Sequence, residues 1–391
     1  MRLVLARGPY AATRVRDLIA RRDRRPSAVR SRPDRASDRP VVVQHSFGSP
    51  SQGGPATALA RLETSALAER YRFVPMHQDT ATGGVDLGRV WRWARRVRSE
   101  HAELVHVRGL GNEGFHGALA ARLGGAPRVL LSVHGSVRDL QRPPHRLRAL
   151  VVAQVLEPLT LLLSTDVVTM CQSMSERSFL RPFRRRLRAV VPNGVGLARP
   201  PADLRLSTRS ALGLAADEVV AILVGRLSVE KGHLVLAEAL RTPATAALTL
   251  LIVGDGPDRA EVEAAYAGAG SRTLLVGQQG DVRPYLAAAD LFVFPTLHEN
   301  LSNALIEAMA AGLPVVATAV GGNVEVLSYG GGLLVPAGAP QPLRRALDRL
   351  VADPDLRDRL GMQARRTVEQ HYSLEHMVQA WDGVYRQLLG R

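Results

Sequence analysis

The densest chemistry in the chain lies in one run, Glu299-Asn300-Leu301-Ser302-Asn303-Ala304-Leu305-Ile306-Glu307. Ser302 or Asn303 can cap a helix over about Ala304 to Ala311, whose free N–H groups and dipole would then face an anion. Glu299 stands in the loop before that helix and Glu307 inside it. A carboxylate can accept two hydroxyls of a ribose or hexose, so this pair suits a ligand bearing both hydroxyls and phosphate. Arg226 and Lys231 supply the positive charge that a diphosphate needs. Lys231 is the single lysine beside 50 arginines, which points to a position where a planar guanidinium will not serve. The plain alternative is a capped helix with two solvated acids, and for Glu307 alone it is the better reading.

Positioning these residues takes strands that alternate with helices. Order is expected to begin at Pro40 with Val41-Val42-Val43, followed by a Gly-rich loop through Gly53-Gly54 and a helix over about 56–69. Strand-like runs recur at 104–107, 129–133, 166–170 and 189–191, with helical patterns at about 87–99, 115–123, 146–163 and 175–180. After Arg199-Pro200-Pro201 the alternation restarts, with strands at 219–224, 248–253, 273–276, 291–294 and 315–318. This predicts two doubly wound parallel sheets with right-handed crossovers. The expected units are a disordered basic arm over 1–39, Rossmann-like domains over 40–200 and 201–372, and a last helix over 373–391. That helix carries Met377, Trp381, Val384, Tyr385 and Leu388 as a stripe to be docked on a surface.

Several classes fall away. Cys171 is the only cysteine, so no disulfide framework exists within the chain. No apolar run reaches the roughly 18 residues that span a bilayer, since Glu157 and Pro158 interrupt the best candidate. Leu3-Val4-Leu5-Ala6 is too short for a signal-peptide core, and the expected location is the cytoplasm. Neither sheet carries G-x-G-x-x-G, and no phosphate-binding G-x-x-x-x-G-K-[ST] is present, which disfavours a simple dehydrogenase and excludes a P-loop ATPase. Asp353-Pro354-Asp355 reads as a helix start rather than a metal site. Residues 1–200 hold 34 Arg and 15 acids, a balance of +19, whereas residues 201–391 balance at −4. One half should therefore attract an anionic partner, unless arginine is merely its default surface residue. The local candidates are Arg89, Arg92, Arg95, Arg96 and Arg98 with Trp91, and Arg181, Arg184, Arg185, Arg186 and Arg188.

With these motifs in order, the sequence resembles glycosyltransferase family 4, built on the two-domain GT-B architecture. Glu299 and Glu307 match the family's E-x7-E, and Gly225-Arg226-Leu227-Ser228-Val229-Glu230-Lys231-Gly232 its G-R-x-x-x-E-K-G. Gly254 to Pro257, Ala288 to Thr296 and Glu307 to Thr318 match further motifs, as do Val133-His134-Gly135 and Pro192-Asn193-Gly194-Val195 more weakly. The resemblance implies an α/β fold with two Rossmann-like sheets facing a central cleft. It implies a nucleoside-diphosphate sugar bound mainly by the second domain, a glycan or lipid-linked acceptor on the first, and transfer with retention. Arg226 and Lys231 would neutralise the leaving diphosphate, Glu307 would hold the ribose, and Glu299 the sugar. The backbone of Leu301, Ser302 and Asn303 would meet the phosphates or sugar. Gly54 would let a loop approach the diphosphate, and His134 would touch the transferred sugar. No metal or other cofactor and no nucleic acid is expected, while peripheral contact with an anionic membrane is. Another GT-B sugar-nucleotide enzyme, such as an epimerase or phosphorylase, and a binding-only protein stay open. The family's N-G-V-D stands here as Asn193-Gly194-Val195-Gly196, without its Asp.

Overall fold

A computed structural model describes residues 39–48, 54–78, 84–142, 145–197, 201–241 and 248–391. The arm expected over residues 1–39 lies outside them, apart from Arg39. The first sheet holds β1 (Val41–Phe47), β2 (Arg72–Gln78), β3 (Leu104–Arg108), β4 (Arg128–Val133), β5 (Asp166–Thr169) and β6 (Leu187–Val190). The second holds β7 (Val219–Val224), β8 (Leu248–Val253), β9 (Thr273–Leu275), β10 (Leu291–Phe294), β11 (Val315–Thr318) and β12 (Gly332–Val335). Their orders are β2-β1-β3-β4-β5-β6 and β12-β11-β10-β7-β8-β9, and every pairing is parallel.

In each sheet the chain builds outward to one edge and then returns to build the other. The switch falls between β1 and β3 in the first sheet and between β7 and β10 in the second. The crevice at the carboxyl ends of such a pair is where open α/β sheets bind ligands. The central strands are buried on both faces, and Val220 to Leu223, Leu250 to Ile252 and Leu291 to Val293 are essentially inaccessible. Two-sided burial explains why they read as continuous apolar runs instead of alternating.

Two strands were not legible. Arg72–Gln78 contains Pro75, but β2 pairs only with β1, and an edge strand tolerates the missing N–H. β12 begins with Gly332, where a Cβ would overlap the Val315 carbonyl of β11, so the pairing needs glycine there. Two helices also depart from expectation. The pattern over 56–69 is a helix Gly54–Glu63 and a separate turn of helix Leu67–Arg70. In place of a helix over 175–180, the chain forms a short helix Gln172–Ser175 and a 3-10 segment Ser178–Arg186, where Pro182 removes a backbone donor.

The helix Leu374–Leu389 closes the chain, capped by Ser373, whose side chain accepts from His376 N. Its buried stripe packs on the first sheet, with Met377, Trp381 and Tyr385 beside Val42, Leu104 and Leu130. Asp382, nearly buried, accepts from Arg70 at 2.6 Å, Tyr71 at 3.0 Å and Arg386 at 2.6 Å. The chain thus crosses between the two sheets twice. The crossings lie side by side, with Val195 bridged to Ser373, and a Cβ on Gly194 would clash with the Ser373 carbonyl.

Candidate active site

The loop that follows β10 carries Glu299, and glycines fix its shape. Gly321 (φ +44°) and Gly322 lie so close beneath it that a Cβ on either would overlap the carbonyls of Glu299 and Asn300. Gly322 N also donates to Asn300 O at 2.8 Å. The loop ends at Ser302, the cap of the helix Asn303–Ala310, whose Oγ accepts from Leu305 N at 3.3 Å. Asn303, the other capping candidate, instead accepts from Asn193 Nδ2 at 2.8 Å across to the first half. Leu301 packs its side chain against the hydrophobic cores.

The turn after β7 supplies the cations. Gly232 (φ +71°) sits against the Pro295 carbonyl with no room for a Cβ, and Glu230 O accepts from Leu297 N at 2.7 Å. This close approach brings Lys231 Nζ to 2.6 Å from Glu299 Oε2 and 5.2 Å from the Phe294 ring centre. Arg226 is exposed, and its guanidinium has no hydrogen bond or ion pair among the described residues. Gly254 (φ +150°) packs directly on the Gly225 carbonyl, so the β8 turn supports the β7 turn.

These turns enclose a cavity of about 1060 Å³, lined by Arg226, Lys231, Ser302, Asn303 and Glu307 among others. Its far end is formed by Gln278 to Arg283, which the sequence did not flag. Arg61, also missed, reaches in from the first half. Its Nη2 lies 2.9 Å from Glu307 Oε1, and its Nη1 donates to Gly194 O at 2.6 Å. Burial pushes the Glu307 carboxyl above its ordinary range, and Arg61 pulls it back. An arginine 246 residues away along the chain, one of 50, left no local signal.

His134, Glu299 and Leu301 stand outside the lining of that cavity. His134 nevertheless meets the Glu299 loop, since its carbonyl accepts from Asn300 Nδ2 at 3.2 Å. Its ring Nε2 is buried without a hydrogen-bond partner among the described residues. Burial, with the charge of Arg108, holds its pKa down to about 3, so the imidazole is neutral at ordinary pH. Gly54 is the first residue of its helix, but the Gly-rich loop before it, with Gly53, lies outside the described residues.

Further contacts hold the two halves face to face. Glu325 accepts from the backbone N–H of Gln172 at 2.8 Å and Ser173 at 2.6 Å. Asp139 lies 2.7 Å from Arg177 and 3.2 Å from His298. Burial would raise the Asp139 carboxyl, yet bonds from His298 and Ser136 hold it at about 2. Asp353 caps the helix Pro354–His371 through Leu356 N at 2.8 Å, as its sequence context suggested. No cluster of three or more His, Cys, Asp or Glu able to hold a metal occurs among the described residues.

Two doubly wound parallel sheets, with a cavity lined by Arg226, Lys231 and Glu307 at the turns of the second, have the architecture of a sugar-nucleotide enzyme of the two-Rossmann type. Comparison with known proteins agrees. Residues 218–353 match the family model described as Glycosyl transferases group 1. A lipopolysaccharide core biosynthesis glycosyltransferase of Rhizobium meliloti is 34% identical over 231 residues, 58% of this chain and 64% of that protein. The 2-deoxystreptamine N-acetyl-D-glucosaminyltransferase of Streptomyces fradiae is 30% identical over 362 residues, 82% of this chain and 85% of that one. Anabaena HepE, solved with UDP-glucose, shares the fold with a TM-score of 0.73 at 19% identity, over 89% of this chain and 99% of its own. The chain belongs to the group 1 glycosyltransferases, a GT4-type enzyme on the GT-B fold.

Proposed function

We propose that the protein transfers a sugar, with retention of anomeric configuration, from a nucleoside-diphosphate sugar to a glycan or lipid-linked acceptor. The expected setting is the synthesis of cell-surface polysaccharide or glycolipid at the inner face of a membrane. The observation that carries the donor reading is the Lys231–Glu299 pair at 2.6 Å, set beside Arg226 and the capped start of the Asn303 helix at a sheet switch point. Lys231 and Arg226 take the charge that grows on the diphosphate as the anomeric bond breaks, which is the step electrostatic preorganisation accelerates most. These two cations make a metal ion unnecessary, so a chelator should leave the rate unchanged. Glu299, held by Lys231, accepts hydroxyls of the sugar. Glu307 takes the ribose hydroxyls in place of its Arg61 contact. The neutral His134 ring presents an unused nitrogen toward the transferred sugar, and the departing phosphate oxygen takes the acceptor's proton.

The UDP-glucose complex of the HepE structure makes uridine the first base to test. The Streptomyces relative's name suggests an aminocyclitol acceptor as a second reading. A cationic aminocyclitol suits the first half poorly, since residues 40–200 carry 22 Arg against 11 acids.

Calorimetric titration with UDP, GDP, ADP and dTDP, then with the intact sugar nucleotide, tests the roles. Glu307→Ala should weaken binding of the free diphosphate, whereas Glu299→Ala should spare it and impair turnover. Proton NMR of the product reads the anomeric configuration directly. Equal losses for both ligands in both variants, or an inverted product, would overturn the assignment.

A further inference from the structure

The three helices Leu87–Ser99, Asn112–Leu123 and Arg146–Leu163 form the crossovers β2 to β3, β3 to β4 and β4 to β5. They pack side by side on one face of the first sheet. The third starts as Arg146–Val151, passes through a π turn at Val152–Leu156 and continues as Glu157–Leu163. Its inner side is ordinary core, with Leu161 at 1% exposure. Its outer side carries Leu147, Leu150, Val151, Val155, Leu159 and Leu162, between 38% and 75% exposed. That spacing is one continuous apolar stripe facing outward. Of fifteen exposed large apolar side chains among the described residues, eleven fall between Val85 and Leu162. Leu87 and Trp91 on the first helix and Leu123 on the second belong to the same layer.

The charge on this layer is of one sign. Its three helices expose Arg92, Arg95, Arg96, Arg98, Arg122, Arg146 and Arg148. They expose no acid: Glu113 is half-buried, and Glu157 is 1% exposed, bonded to Ser136 at 2.8 Å and Val137 N at 2.8 Å. At the far end of the stripe, Arg186 donates to the carbonyls of Leu161 and Leu162 and so ties the arginine-rich Ser178–Arg186 segment alongside. Ahead of the stripe, Gln141 N donates to Glu230 Oε1 at 3.2 Å, one residue from Lys231. The chain is thus held at the cleft rim six residues before the stripe begins at Leu147.

We infer that this helix layer seats the enzyme on an anionic bilayer, with the Leu147–Leu162 stripe at the acyl boundary and the flanking arginines on lipid phosphates. The inference rests on the glycosyltransferase reading only for its purpose, which is to present the cleft rim to a lipid-linked acceptor. An aliphatic stripe flanked by arginine is the composition of an interfacial helix. A second copy docked on the same stripe would oppose arginine to arginine. Residues 1–38, with 11 Arg and 4 acids, are repelled in the same way.

The test floats the full chain with vesicles of phosphatidylcholine alone and mixed with phosphatidylglycerol, at low and high salt. The expected result is binding to the anionic vesicles only, weakened by salt. Changing Leu147→Gln, Leu150→Gln and Leu162→Gln together should weaken it by about 100-fold, while melting temperature and nucleoside-diphosphate binding stay as in the parent. A separate Leu150→Trp should blue-shift its emission on the anionic vesicles, which binding through residues 1–38 alone would not produce. The proposal falls if the parent ignores lipid charge, if the triple variant binds like the parent, or if light scattering finds a dimer that the triple variant dissociates. Failure to bind any nucleoside diphosphate would count against the donor site and leave the vesicle result readable.

Discussion

The two sheets end in edges of opposite character. At the second sheet's edge, backbone sets the geometry: Gly232, Gly254, Gly321 and Gly322 let loops touch, and Lys231 and Glu299 satisfy one another. At the first sheet's edge, buried polar atoms stand unpaired. Arg108 is 1% exposed at the end of β3, with bonds to His45 O at 2.9 Å and His106 Nδ1 at 3.4 Å but no carboxylate partner among the described residues. Gln44 Oε1, His45 Nε2 and His134 Nε2 likewise have none. An unmade buried hydrogen bond costs about 1–3 kcal/mol, a cost the second edge shares at Ser228 Oγ, His233 Nδ1 and Asn323 Oδ1. What separates the edges is the cation: Lys231 at the second has its carboxylate, and buried Arg108 at the first has none among the described residues.

The largest expected effect tests the close backbone packing of the second edge. Gly254→Ala forces a side chain into the Gly225 carbonyl at φ +150°, and should cost about 4 kcal/mol or more of stability, read as a collapse of the melting temperature. Gly135→Ala on the opposite edge meets Asn300 Nδ2 at 3.4 Å and Asp139 Oδ2 at 4.0 Å, both side-chain ends, and should melt like the parent. Equal melts for the two variants would break the comparison. Next in size, Lys231→Ala should lower kcat/KM by about 10²–10³, since it removes a charge-stabilising donor and strands Glu299. Lys231→Arg should fail to restore the rate, because a guanidinium cannot occupy the same point between Glu299 and the Phe294 ring.

The smallest effect belongs to the first edge. Burial first, then the charge of Arg108, lowers His45 to about 3, whereas an unfolded histidine titrates near 6.5. Acid therefore protonates the unfolded chain first. Stability is full above pH 6.5 and declines as the pH falls toward 3. His45 alone contributes a slope of about 1.4 kcal/mol per pH unit in that window. Denaturant titrations at pH 7 and 5 should show a shallower loss in His45→Gln than in the parent. Identical slopes would mean that His45 is not held neutral in the folded state.

How much of this was legible follows from distance along the chain. Glu299, Ser302 and Glu307 sit in one run, and local capping logic placed them. Lys231 was marked by being the only lysine, and the fold supplied its partner. Arg61 and Glu307 are joined only by tertiary structure. Arg108 closes an apolar strand and precedes Gly109, so a charged residue at a switch-point strand end was the available signal, and it passed unnoticed. The exposed stripe was hidden for another reason. Leu147, Leu150 and Val151 lie in the same apolar helical run as the buried Val152, Ala153 and Leu161, and periodicity does not say which apolar face looks inward. The surface candidates picked from the sequence were arginine clusters, and these flank the stripe without including it.

The terminal helix has a consequence for anyone who exchanges donor specificity between such enzymes. Leu374–Leu389 follows the second sheet in sequence but supplies Trp381 and Tyr385 to the core of the first. Tyr385 OH is bonded to His106 Nδ1 at 2.8 Å and to Gln44 Nε2 at 3.0 Å. A chimera cut once, near residue 200, would pair the first sheet with a foreign helix and leave those two polar groups to a stranger. The transplantable donor module instead has two seams, one after Gly194 and one before Ser373. These seams already lie side by side, so a graft spliced at both would enter and leave at a single point of the recipient.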